Sequence, residues 1–193
     1  PLKKKRDKSY AIPPGETVYT CFTSDFLIEE ADSFRPEAWA MMKERGDLSF
    51  LFITKRIHRL MDVLPPDWGD GYDNVSIGCT VETQAACDAR LPLFISLPIK
   101  EKLIICEPCI GETDLSPYLA GDISLVVAGG ESGENARVCD YSWILKIREA
   151  CNRASVPFHF KQTGARLLKD GRLYRIKRNY QHSQAKKAGI DLP

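Results

Sequence analysis

The sequence predicts an α/β protein: a partial parallel (β/α) barrel, TIM-barrel-like, with a C-terminal hairpin and short helix as an extension. Three observations predict it. Short β-branched or aromatic runs alternate with helically spaced segments between residues 17 and 160. Several runs, among them Phe50-Leu51-Phe52-Ile53, Leu103-Ile104-Ile105 and Leu125-Val126-Val127-Ala128, are wholly apolar, as in strands covered on both faces of a parallel sheet. Their spacing, roughly 20 to 35 residues, leaves room for a right-handed crossover after each strand.

The strands are expected at residues 17–22, 48–54, 74–81, 102–106, 123–128 and 157–160. Helical spacing covers residues 35–45, 57–64, 83–97 and 141–154. Pro36 suits the first turn of the first helix, where its missing N–H costs nothing, and Gly46 suits its end. In the fourth helix Trp143, Ile144, Ile147 and Cys151 form one apolar stripe beside Lys146, Arg148 and Glu149, so one face packs on the sheet. Beyond Gln162 the alternation stops. Residues 167–174 read as a hairpin turning on Asp170-Gly171, and residues 181–188 as a short helix ended by Gly189. The barrel domain is expected over residues 1–164, with 1–16 an irregular arm, and a basic extension over 165–193.

No apolar run reaches the 18 residues of a membrane span, and Lys3-Lys4-Lys5-Arg6 leads into no signal-peptide core. Seven cysteines, an odd number, suit reduced thiols better than a disulfide framework. A cytoplasmic protein without a membrane partner is therefore expected. The net charge of +1 conceals a partition: residues 1–8 carry +4, residues 9–160 carry −10 and residues 161–193 carry +7. An acidic body with basic ends makes nucleic acid a possible partner, through Arg172, Arg175, Lys177 and Arg178 with Tyr174 and Tyr180 interleaved.

In parallel α/β folds chemistry gathers beyond the carboxyl ends of the strands. Here those positions are polar throughout: Ser24 and Asp25, then Thr54, Lys55 and Arg56, then Thr80 and Glu82, then Glu107, then Gly129, Gly130 and Glu131, then Lys161 and Gln162. Lys55-Arg56 at a helix start opposes the helix dipole unless an anion, or Glu82, Glu107 or Glu131, lies between them. Gly129 to Gly133 could bring backbone N–H groups close to a ligand or simply form a turn, and is neither a dinucleotide nor a Walker signature. Cys106 and Cys109 have C-x2-C spacing without a second pair or a histidine pair, which argues against a zinc site. Cys21, Cys79 and Cys106 are expected as small buried hydrophobes rather than a converging site, and His159 as a satisfied core or rim residue.

Six segments in order, residues 50–56 (FLFITKR), 67–71 (DWGDG), 78–82 (GCTVE), 106–108 (CEP), 126–133 (VVAGGESG) and 158–162 (FHFKQ), resemble the bacteriophage gene-product 37/68 family of uncharacterised proteins. That family is similar to the spore-photoproduct-lyase branch of radical S-adenosylmethionine proteins, whose core is a partial parallel barrel. The resemblance implies cleavage of S-adenosylmethionine by an iron–sulfur cluster, with the protein supplying position and electrostatics. It implies that Thr54, Lys55, Arg56, Glu82, Glu107 and Glu131 line the barrel mouth and that Asp25, Lys161 and Gln162 complete the rim. Family members usually carry a three-cysteine motif near their start, and no cysteine precedes Thr17. Cluster and S-adenosylmethionine are therefore expected only with a motif upstream of Pro1, and no metal ligand set in this chain. The alternatives are a nucleic-acid-associated module and a non-catalytic barrel serving a partner protein.

Overall fold

The computed structural model describes residues 1–119 and 121–193. Six parallel strands form one sheet: β1 (Thr17–Tyr19), β2 (Ser49–Thr54), β3 (Val75–Thr80), β4 (Glu101–Cys106), β5 (Ile123–Gly129) and β7 (Phe158–Gln162). The strands lie in chain order across the sheet, which curls into a half-barrel. The helices are α1 (Arg35–Glu44), α2 (Leu60–Val63), α3 (Gln84–Ser96), α4 (Tyr141–Ala154) and α5 (Arg178–Ala188). A second sheet contains β6 (Cys139–Asp140), β8 (Arg166–Lys169) and β9 (Arg172–Arg175), with β6 parallel and β9 antiparallel to β8.

Alternation along each strand divides the residues between the two faces of the main sheet. Phe50, Phe52, Val75, Ile77, Ile104, Val126 and Phe158 turn outward into the large core shared with the helices. Leu51, Ile53, Leu103, Ile105, Leu125 and Val127 turn inward and form a separate apolar cluster on the concave side. The wholly apolar runs thus have the cause expected from sequence: both faces are covered or semi-enclosed. Gly78 lies at the centre of the concave face, paired in register with Ile53 and Leu103. A Cβ there would stand 2.9 Å from Ile53 Cγ2 and 3.0 Å from Ile105 Cγ1, so its absence lets β2 and β4 side chains meet across β3.

Local chemistry explains the helix boundaries. Pro36 occupies the first turn of α1, and Trp39 and Met42 bury its inner face. Trp39 donates from Nε1 to Val63 O at 2.8 Å and packs edge-on against Phe26 and Trp68. The Thr83 side chain accepts the Ala86 N–H to cap α3, and Asp140 accepts from Ser142 N to cap α4. Ser155 and Gly189 end α4 and α5 in the left-handed region. Asp170 and Gly171 both have positive φ, as the two-residue hairpin turn requires.

Four features depart from the sequence reading, one being that α5 starts at Arg178, three residues before the expected Gln181. The first strand stops at Tyr19, and Cys21, at φ 56°, begins a turn. The segment 57–64 forms a 3-10 turn (Ile57–Arg59) running into the short α2 rather than one continuous helix. The two-residue β6 was not foreseen. The edge of β7 is covered by the C-terminal segment: Phe158 and Leu192 exchange backbone hydrogen bonds at 3.1 and 2.8 Å, and the Asp191 carboxylate accepts from Phe160 N at 2.7 Å. Among the described residues no helix is long and apolar enough to cross a membrane.

Candidate functional site

The site is built where the strands of the half-barrel end. At the close of β2, Thr54 is buried; its hydroxyl donates to Asp25 Oδ1 at 2.8 Å and accepts from Arg56 N at 2.8 Å. Asp25, in the loop after β1, also accepts from Leu27 N at 2.9 Å, Lys55 N at 3.1 Å and Arg56 Nη1 at 2.9 Å. Burial alone would raise the Asp25 carboxyl, but these donors outweigh it and hold it below the ordinary carboxylate range. Beside Ser24 and Asp25 a cavity of about 320 Å³ opens between Thr54, Lys55, Arg56 and Thr80, with Ile28 and Ile53 completing its lining.

Glu82 follows β3 and lies between two cations. It pairs with Lys55 Nζ and accepts from Arg90 Nη1 at 2.9 Å, while Arg90 also donates to Thr80 O at 2.6 Å. Burial would raise this carboxyl too, and the Lys55 and Arg90 contacts more than reverse it. The anion required by the Lys55-Arg56 helix start is thus supplied internally, by Glu82 and Asp25.

The second half of the rim is made by β4, β5 and β7. Glu107 accepts from Lys161 Nζ at 2.8 Å and is also bonded by the Gln162 amide. Glu131 is gripped by Arg137 through Nε at 2.8 Å, Nη2 at 2.6 Å and the backbone N–H at 2.8 Å, which hold its carboxyl down to about 2. Ser132 bridges Gln162 at 2.9 Å and Gln181 at 2.8 Å, tying the glycine-rich loop to α5. In that loop Gly130 makes room for backbone: a Cβ would stand 2.4 Å from Thr163 O, and one at Gly164 would stand 2.7 Å from Gly130 C on the other side. What lies against Gly130 is the backbone of Thr163 and Gly164, another stretch of this chain.

Between the two halves lies the concave apolar face. A groove of about 400 Å³ has Leu51, Ile53, Leu103, Ile105, Leu125 and Val127 as its floor, with Glu107 and Lys161 at its upper margin. Tyr19, Phe22, His159 and His182 stand at its sides, Tyr19 and Phe22 with 63% and 42% of their surface exposed. Ile53 lines both the groove and the cavity beside Asp25, so the two adjoin at that residue. His159, half exposed, places Nδ1 3.0 Å from the Asp191 carboxylate, a rim residue rather than a core one. Four carboxylates therefore pair with five cations near the strand ends; Glu107 and Lys161 border the apolar groove, and Asp25, Lys55 and Arg56 border the cavity beside it. Arg90 and Arg137 were not singled out from sequence. Arg90 lies mid-helix and Arg137 in a loop, and only the pairing with Glu82 and Glu131 reveals them.

The cysteines do not join this rim. Cys79, Cys87, Cys106, Cys109, Cys139 and Cys151 are buried, whereas Cys21 is exposed, against expectation, because its strand ends early and the turn lifts it into solvent. Burial pushes the Cys79, Cys87 and Cys151 thiols up to about 12, away from the reactive thiolate. Among the described residues no group of three or more His, Cys, Asp or Glu side chains could hold a metal ion. These residues therefore do not fit the iron–sulfur cluster that the family resemblance implies.

The basic C-terminal residues lie elsewhere. Arg172 and Arg175 are at the two ends of β9, Lys177 is the N-cap residue of α5 and Arg178 its first residue, and all are exposed. Arg172 stacks over the Tyr174 ring at 5.1 Å.

Fold and site together define a half-barrel α/β protein with a charge-paired strand-end rim over an apolar hollow. The chain belongs to the family described as proteins of unknown function, DUF5131, whose model matches residues 2–192. No curated protein matches the chain, and no solved structure does.

Proposed function

We propose that the concave face binds a small molecule combining an apolar body with a zwitterionic head, of the S-adenosylmethionine type, and that the protein is the ligand-binding core of an enzyme acting through it. The single observation that supports this is the contiguity of the apolar floor with a rim of partly exposed ion pairs. An incoming carboxylate would compete for Lys55 or Lys161, whose side chains are 50% and 42% exposed, and an incoming ammonium for Glu82 or Glu107. The apolar part would cover Ile53, Leu103 and Val127. Because the described residues offer no cluster ligands, no redox step is assigned to them.

Equilibrium dialysis of the protein against labelled S-adenosylmethionine tests this reading. Saturable binding that is lost in Leu125→Lys, which places a charge on the floor, is the expected result. Absence of binding at millimolar ligand, or binding indifferent to that substitution, rejects it.

A second reading, contact with a polyanion such as nucleic acid, is favoured by one observation. Among the described residues Arg166, Lys169, Arg172, Arg175, Lys177, Arg178, Lys186 and Lys187 make no ion pair, whereas the rim cations are all paired. Affinity for single-stranded DNA that falls steeply with salt is expected, and salt-independent or absent binding rejects this reading.

A further inference from the structure

The hairpin β8–β9 sets like charges opposite one another. Arg166 is paired directly with Arg175, and Lys169 with Arg172, so both outer cross-strand pairs of the hairpin are like-charged. Like charges directly opposite one another destabilise a strand pair. None of the four has a carboxylate within ion-pair distance among the described residues, and the buried Arg166 Nε has no hydrogen-bond partner.

At the Arg166–Arg175 end the two side chains face a cavity of about 480 Å³, which Lys177, Ala165 and Gly133 also line. Its walls are tied together by backbone. Ala165 N donates to Glu131 O at 2.8 Å and Ile176 N to Ala165 O at 2.9 Å, so the glycine-rich loop, the root of the hairpin and the approach to α5 are held in one place. Lys177 and Arg178 stand at the start of α5, where no side chain caps the helix and cations oppose its dipole. One carboxylate, the exposed Glu134, also lines the cavity and pairs with none of the three cations.

We infer that this cavity is a phosphoryl-binding site in which an oxyanion bridges Arg166, Arg175 and Lys177. A phosphate group supplies what the cavity lacks: negative charge between the two opposed guanidinium groups, with acceptor oxygens for their terminal N–H groups. The group comes either from a nucleotide or from a nucleic-acid strand. For a strand, Arg172 and Arg178 lie on the exposed surface of the same unit and would meet the neighbouring phosphates, with Tyr174 and Tyr180 available for stacking. The site deepens the polyanion reading above and is independent of the concave face.

The experiment titrates the full chain with adenosine 5′-monophosphate by calorimetry and with a short fluorescein-labelled single-stranded DNA by anisotropy. The parent is compared with Arg166→Gln, Arg175→Gln, Glu134→Gln and the control Lys186→Gln/Lys187→Gln. Arg166→Gln and Arg175→Gln should each weaken binding about ten- to hundredfold, the worth of one charge-assisted hydrogen bond. Glu134→Gln should strengthen it, a change that misfolding cannot imitate. The control, which removes two charges remote from the cavity, should weaken mononucleotide binding less than twofold or so. Nucleotide binding without DNA binding retains the site and rejects the polyanion reading. DNA binding reduced no more by Arg166→Gln and Arg175→Gln than by the control rejects the site and retains that reading. Failure of both probes to bind, or no gain from Glu134→Gln, overturns the site.

Discussion

Replacement of Gly130 by alanine isolates the role of the glycine-rich loop, because Gly130 does not have positive φ and alanine can adopt its conformation. The added Cβ would lie 2.4 Å from Thr163 O and 2.9 Å from Gly164 Cα, where ordinary contacts begin at 3.4 Å. The neighbours are backbone, so relief requires the two segments to part by about 1 Å, beyond what side-chain rotation provides. Parting them stretches two hydrogen bonds, Gly130 N to Gln162 O at 3.0 Å and Ala165 N to Glu131 O at 2.8 Å. At about 1 kcal/mol for each bond, with 1–2 kcal/mol of residual overpacking and about 0.5 kcal/mol returned through the stiffer unfolded chain, the net loss is about 2–4 kcal/mol. Urea unfolding followed by circular dichroism reads this directly. With a slope of about 2 kcal/mol/M the midpoint should fall by about 1–2 M. Gly46→Ala is the control: the nearest atom to its Cβ is 3.8 Å away, so stability should hold or rise by up to about 1 kcal/mol. A Gly130→Ala midpoint equal to or above the parent's would refute the crossing argument.

Three further outcomes are expected. A thiol-reactive chromogenic disulfide should titrate one rapid thiol, Cys21, in the native protein, with the six buried cysteines reacting only after denaturation; rapid reaction of several would contradict the packing. Asp25 and Glu82 have carboxyls lowered on folding, so the stability they contribute is full above their unfolded values near pH 4 and is lost as pH falls through the lower folded values. Urea midpoints should therefore decline from about pH 5 downward, and Thr54→Val, which removes one Asp25 donor, should shrink that decline; an unchanged slope would count against the Asp25 cluster. Arg45 is fully buried, bonded to Asp47 at 2.7 and 2.9 Å and to the Pro1 and Ile12 carbonyls, and lies over the Tyr10 ring at 4.0 Å. Arg45→Met should lower stability by about 2–4 kcal/mol and loosen residues 1–12, which limited proteolysis would detect.

The half-barrel was readable because its strands are apolar on both faces and separated by crossover-length segments, a pattern that local composition alone imposes. The Asp170-Gly171 turn and the Pro36 helix start were readable for the same reason, each being fixed by one or two residues. β6 was not: two residues long, it exists only because β8 pairs with it from nearly thirty positions downstream. The rim was legible as a set of polar strand ends, yet its wiring was not. Arg90 reaches Glu82 from the side of a helix, and the Ser132 to Gln181 contact spans 49 residues, distances over which sequence carries no pairing signal. Arg166 is the clearest omission. As one arginine among many basic residues it had no mark, and only the hairpin register, which sets it opposite Arg175, makes it unusual.

The backbone cover that residues 191 and 192 lay along β7 has a bearing on how the protein is made. A strand edge with free N–H and C=O groups is a template for pairing with another chain. During synthesis β7 is complete at Gln162, but its cover arrives some thirty residues later, a delay of roughly two to six seconds at ordinary elongation rates. Over that interval the growing sheet is open on its newest side. A chain cut short before Ile190 would keep that edge bare permanently and should collect in aggregates even if the barrel core had already formed.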